Sequence, residues 1–220
     1  MVLCVAHLNP HDSRRRVHEA KRILTKHAKP QMDSNKGFLL VGDLNTLSPL
    51  DKAHHELAGL TSKIRTGPYA KPLGKKFLNH QVSATHKQAS SVSDLPSSHN
   101  PLLSLLCYLH TSQRSAVDYQ PMKVLLDAPL TDIGAVYSGR DLASSGSQIT
   151  VPTSINADHM HFAQLRLDYA LASKGLIEAS EAAAACNGGG AAAKAALHAA
   201  PLRDDRTNSL SDHFPLLVTF

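Results

Sequence analysis

The first 45 residues leave few architectures open. "VLCVAH", Val2 to His7, is a short apolar run with β-branched residues. "GFLLVGDLN" supplies a second such run, Phe38 to Val41, which leads into a loop begun by Gly42. Runs of this length and composition suit buried strands. Between them Val17, Ala20, Ile23, Leu24 and Ala28 recur at helical spacing, with Arg and Lys on the other face. Asp12 or Ser13 is a candidate N-cap, and Pro30 is expected to end the helix. Strand, helix, strand is the opening of an α/β chain.

The remainder is less regular. Residues 51–59 suit a short helix. From 61 to 100 the chain is polar, rich in Lys, Ser, His and Gln, and its weak periodicity predicts a surface insertion without fixed structure. "PLLSLLCYLH" predicts a packed helix, and "YQPMKVLLDAPLTDIG" a helix with Pro121 in its first turn, then a short run to Asp132. In "LRLDYALAS", Leu165, Leu167, Tyr169 and Leu171 alternate with Arg166, Asp168, Ala170 and Ala172, which predicts a strand with one buried face. An Ala-rich, Gly-broken stretch at 178–205 predicts a second surface insertion with helical tendency.

Composition narrows the function classes. Lys and Arg number 23 against 18 Asp and Glu, for a net charge of +5, which suits a phosphate-bearing partner without demanding one. Cys4, Cys107 and Cys186 have no zinc-ligand spacing and suggest no disulfide framework, so a reducing, intracellular setting is expected. No apolar run reaches the length of a membrane span, and no signal peptide is evident. Most of the 14 His lie in polar stretches and suit the surface. His159 and His161 have metal-like spacing but no evident third ligand.

Four short pieces stand at the ends of the expected strands: "VAHLNP", "VGDLNTLSP", "LRLDYALAS" and "LSDHFPLLV". Singly, an Asp after a strand is most often a turn former, and a lone His a surface group. The carboxylate of Asp168 is harder to dismiss, because on an apolar strand it needs a partner. In this order the pieces resemble the endonuclease/exonuclease/phosphatase superfamily, whose pattern runs from a "THL"-like His through "GDFN" and "RIDY" to "SDHxPV". Here they read "AHL", "GDLN", "RLDY" and "SDHFPL", and the likeness covers residues 1–59 and 118–220. The superfamily shares the deoxyribonuclease-I-like fold and includes abasic-site endonucleases, deadenylases, neutral sphingomyelinases and inositol-polyphosphate phosphatases.

The resemblance implies an α/β (α+β) chain built as a two-sheet β-sandwich flanked by helices. It implies Mg²⁺-dependent hydrolysis of a phosphodiester or phosphomonoester, with Mn²⁺ as an alternative ion. The basic balance slightly favours a nuclease. By the same resemblance Asp43 orients or deprotonates the attacking water, and Asn45 contacts the phosphate. His213 contacts the phosphate and is the candidate proton-transfer group. Asp168 accepts a hydrogen bond from His213, fixing its tautomer and favouring the imidazolium. Asp212 and Asp43 are the candidate metal ligands, and His7 supports the phosphate from the opposite lip. Ser48 and Asp51 are expected to end one loop and cap the next helix. Thr150 and Thr153 are expected at a buried strand end.

The family's opening Asn strand and metal-binding Glu have no counterpart in this sequence. Against the family pattern the chain therefore reads as an N-terminally truncated domain over residues 1–220, with a complementing N-terminal segment as an expected partner. Its strands Val2–Val5 and Phe38–Val41 are then expected to be short of apolar partners. Two other functions fit the sequence. One is a non-catalytic member acting as a binding or regulatory module. The other is a basic nucleic-acid-binding protein using residues 61–100, where few aromatics interleave with the basic groups to stack on bases.

Overall fold

The computed structural model describes residues 1–79, 116–137, 148–155, 163–186 and 197–220. The expected helix at 101–110, residues 80–100 of the first insertion, residues 187–196 of the second, and His159 with His161 lie outside the described residues. The chain is mixed α/β. A four-stranded sheet has the order β1 (Val2–Val5), β2 (Phe38–Asp43), β4 (Asp168–Ser173), β3 (Leu130–Asp132). β1 runs parallel to β2, while β4 is antiparallel to both β2 and β3. A separate antiparallel pair joins β5 (His198–Pro201) to β6 (Leu216–Thr219).

Period-two patterning assigns the two faces of the larger sheet. Phe38, Leu40, Tyr169 and Leu171 share one core with α1 (Ser13–Ile23) and α6 (Gln120–Asp127) through Ala20, Ile23, Met122 and Leu125. Leu39, Ala170 and Ala172 face the other way, against Ala199 of the smaller sheet and Leu197 just before it, Ile133 of α7 (Ile133–Tyr137), and Leu176 and Ile177 of α8 (Lys174–Cys186). β4 is thus buried on both faces rather than one, since the small side chains of Ala170 and Ala172 fit beneath a second layer. β1 departs in the opposite direction. As an edge strand it half-buries only alternate residues, leaving Leu3 55% and Val5 72% exposed, whereas Phe38, Leu39 and Leu40 are buried.

Asp12 caps α1 by accepting from Arg14 N at 2.9 Å and Arg15 N at 3.3 Å. Pro30 does not end this helix. A π-helical turn over Leu24–Ala28 resets the register and leads into α2 (Lys29–Asp33), whose first turn holds Pro30 where no N–H is required. Arg16, expected on the solvated face, is 1% exposed.

The stretch expected to be an unstructured insertion instead begins with two helices, α4 (Leu60–Thr66) and α5 (Ala70–Phe77), which follow α3 (Lys52–Leu57). Leu60, Ile64, Leu73 and Phe77 join Leu47, Val151 and Leu165 in a third core. Likewise the second expected insertion supplies β5, whose Ala199 is fully buried. Among its described residues, those from Glu178 onward in α8 and the 202–205 turn are largely exposed.

At Gly42 the chain just past β1 passes close against β2. Gly42 has φ +130, and a Cβ there would meet Ala6 O at 2.1 Å. Gly42→Ala should therefore force the strands apart beside Asp43 and cost roughly 1–3 kcal/mol, read as a lowered urea midpoint.

Candidate active site

Strand register assembles the site. In the β2–β4 pairing Asp43 stands directly opposite Asp168. Leu8 N donates to Asp43 O at 3.0 Å, which carries His7 alongside. The turn before β6 supplies His213 and is held from two directions. Phe214 N donates to Thr150 O at 2.8 Å, and Thr153 Oγ1 donates to Ser211 O. Thr150 Oγ1 also accepts from Leu167 N at 3.0 Å and Asp168 N at 3.2 Å. Buried Thr150 therefore fixes the backbone on both sides of the Asp168–His213 pair.

His213 Nδ1 lies 2.7 Å from Asp168 Oδ2, with the side chains 23% and 14% exposed. With Nδ1 donating to the carboxylate, Nε2 is left as the nitrogen not engaged by Asp168. Ligand atoms of Asp43, Asp168 and His213 lie within 4.8 Å of one another and could hold a metal ion. Asp43 is itself held: its Oδ1 accepts from Asn45 N and its Oδ2 from Asn45 Nδ2, both at 2.8 Å, and His7 Nε2 stands 3.4 Å from Oδ2. The tight turn requires φ +48 at Asn45, a conformation Asn tolerates better than most residues.

Burial pushes the Asp43 carboxyl up, and Asp168 adds to this; the Asn45 amide, His213 and His7 oppose it. Burial alone would lower the His213 imidazole. The hydrogen bond to Asp168 and the charges of Asp168, Asp43 and Asp212 outweigh that, so the net shift is upward. A raised folded-state value stabilises the fold fully below the unfolded value of about 6.5, and the contribution is lost as pH rises through the folded value. An NMR titration of His213 should show the raised midpoint, and Asp168→Asn should bring it down. Thermal stability should decline across the same window in the wild type, with a shallower decline in the variant.

Asp43, Asn45, Asp168, His213 and His7 thus converge. Asp212 does not join the cluster of ligand atoms. It is exposed, accepts from Ser211 Oγ at 3.2 Å, and acts on His213 through its charge. Adjacent residues in a turn direct their side chains apart, so Asp168 is the second carboxylate of the cluster instead. Asn45 is 3% exposed, and its Nδ2 donates to Leu8 O at 3.2 Å as well as to Asp43. Both amide hydrogens are spent inside the protein, so Asn45 orients Asp43 rather than offering a free donor to phosphate. Ser48 does cap the following turn, accepting from Leu50 N at 3.2 Å.

Asp51 makes no capping bond. It receives Arg166 Nε at 3.0 Å and Nη2 at 3.1 Å, while Arg166 Nη1 and Nη2 reach Asp132 at 3.0 and 2.7 Å. The carboxylates hold Arg166 above its ordinary value although burial opposes them. This ion triad was not expected from the sequence, which put Arg166 on an open face.

An apolar cavity of about 530 Å³ adjoins the pair, lined by Leu3, Leu39, Val41, Leu216 and Val218 together with Asp168 and His213. Comparison with family models, curated proteins and solved structures finds no match to the chain.

Proposed function

We propose that the protein hydrolyses a phosphate ester at the Asp43–Asp168–His213 cluster. The observation that carries this reading is the 2.7 Å contact between His213 Nδ1 and Asp168 Oδ2, with Asp43 across the strand pair from Asp168. The two sheets packed through a shared core, with helices on the outer face of the larger one, support a two-sheet sandwich of the deoxyribonuclease-I-like kind.

Two facing carboxylates, one of them pushed up by burial and by its neighbour, are a donor set that a hydrated divalent cation would relieve. Mg²⁺ commonly binds through one or two carboxylates, water and substrate phosphate, so Asp43 and Asp168 fit it. When bound, the ion would polarise a phosphoryl oxygen. Asp43, raised from its ordinary value by burial and fixed by Asn45, takes a proton from the attacking water as its oxygen bonds to phosphorus. The bond from phosphorus to the leaving oxygen breaks. His213, whose imidazolium form Asp168 favours, supplies the proton that oxygen needs. His7 steadies Asp43 at the open side.

The test is a hydrolysis screen over abasic DNA, poly(A), sphingomyelin and inositol phosphates, with Mg²⁺ and with EDTA. Mg²⁺-dependent product from one class is the expected result. No product from any class is what a binding module would give, and it would overturn the proposal.

A further inference from the structure

Resting on that reading, we propose that the apolar cavity beside the Asp168–His213 pair receives the leaving group of the substrate, and that this group is an alkyl chain. The cavity, about 530 Å³, lies within the range of roughly 300–1,000 Å³ that suits a small ligand. Asp168 and His213 line it, whereas Asp43 and His7 do not. The side chain that serves the leaving oxygen therefore borders the cavity, and the carboxylate that serves the attacking water lies outside it. As the water oxygen bonds to phosphorus, the bond from phosphorus to the alkyl-bearing oxygen breaks. That oxygen takes the His213 proton, and the alcohol is formed inside the apolar walls.

Both sheets build those walls. Leu39 and Val41 belong to β2, Leu3 stands beside Leu39 in the β1–β2 register, and Leu216 and Val218 come from β6. Asp168 is paired with Asp43, so Val41 and then Leu39 recede along β2 from the catalytic end, over about 13 Å at the usual strand rise. Leu3 is 55% exposed, and Leu216 and Val218 are half-buried. An alkyl chain laid along them takes that surface out of water. Among the described residues no Lys or Arg lines the cavity, so it offers no cation to a second phosphate. A polynucleotide on this side would set its charges against leucine and valine, which makes the cavity selective for a neutral, apolar leaving group.

The experiment uses the full chain in Mg²⁺. Alkyl methyl phosphates, from dimethyl to octyl methyl, are offered as substrates and both alcohols are quantified. Calorimetry follows methyl- to octylphosphonate, which cannot lose the chain. Affinity and kcat/KM should rise about three- to fourfold per added methylene over the first carbons, and octanol should be released in preference to methanol. Leu3→Ser and Val218→Ser should flatten both series. Leu217→Ser, on the other face of β6 and outside the cavity lining, should leave them unchanged. Chain-length-independent affinity, methanol released as readily as octanol, or wild-type series in both cavity variants overturns the proposal. So does a wild-type dimer in sedimentation that Leu3→Ser returns to monomer, since a second copy then holds the groove. Hydrolysis that ignores chain length removes the alkyl site and leaves the hydrolytic reading. Phosphonate affinity that rises with chain length, with no alcohol released from any ester, overturns the hydrolytic reading and leaves the alkyl site standing.

Discussion

Asp168→Asn should lower turnover of a phosphate ester by about 10²- to 10⁴-fold, the usual worth of a positioned proton-transfer group. The amide is nearly isosteric, but it cannot stabilise an imidazolium, and it presents either an NH₂ or a carbonyl to His213 Nδ1. The ring loses its fixed tautomer and the upward shift that favours its imidazolium form. Folding should survive, because Asp168 is partly exposed at the strand end and its backbone N–H bond to Thr150 Oγ1 remains. His213→Gln should cost about as much as Asp168→Asn, and the double variant little more, since residues acting as a unit are not additive. Turnover unchanged in Asp168→Asn would remove Asp168 from the mechanism.

Arg166→Met should have the largest effect on stability, roughly 3–5 kcal/mol, because it strands two buried carboxylates. Asp51 and Asp132 are 3% and 1% exposed, and each meets Arg166 through two hydrogen bonds. Removing the guanidinium leaves both to be desolvated without a counter-ion. For a chain of this size that loss lowers the melting temperature by about 10 °C. Arg166→Lys should recover only part of it, since an ammonium cannot serve both carboxylates with the planar fork. Thermal unfolding of the three proteins at neutral pH is the measurement. An Arg166→Met melt within error of the wild type would show that the triad contributes nothing to the fold.

What the sequence discloses depends on how local the cause is. Asp12 as N-cap and the apolar stripe of α1 are short-range features, and both are present. Asp43, Asp168 and His213 are legible because each stands at one end of a strand, or in the turn beside it, whose alternation or apolar run is plain, although the pairing that joins them is not. Arg166 is illegible for the opposite reason: its partners lie 115 and 34 residues away, and without them it resembles a solvent-facing position. Ala170 and Ala172 mislead because small residues carry little hydrophobic signal, yet they suit a face covered by a second sheet. In residues 60–79 the buried positions are divided between two short helices around Gly67 and Pro68, so no single window shows a helical period.

The most direct measurement is product analysis after cleavage of a phosphodiester by the wild-type protein in heavy-oxygen water containing Mg²⁺. Label in the phosphate-bearing product, loss of cleavage in EDTA, and near loss in Asp168→Asn are the expected results. Unlabelled phosphate-bearing product, or cleavage as fast in Asp168→Asn as in the wild type, would contradict water attack at phosphorus by the Asp43–Asp168–His213 centre.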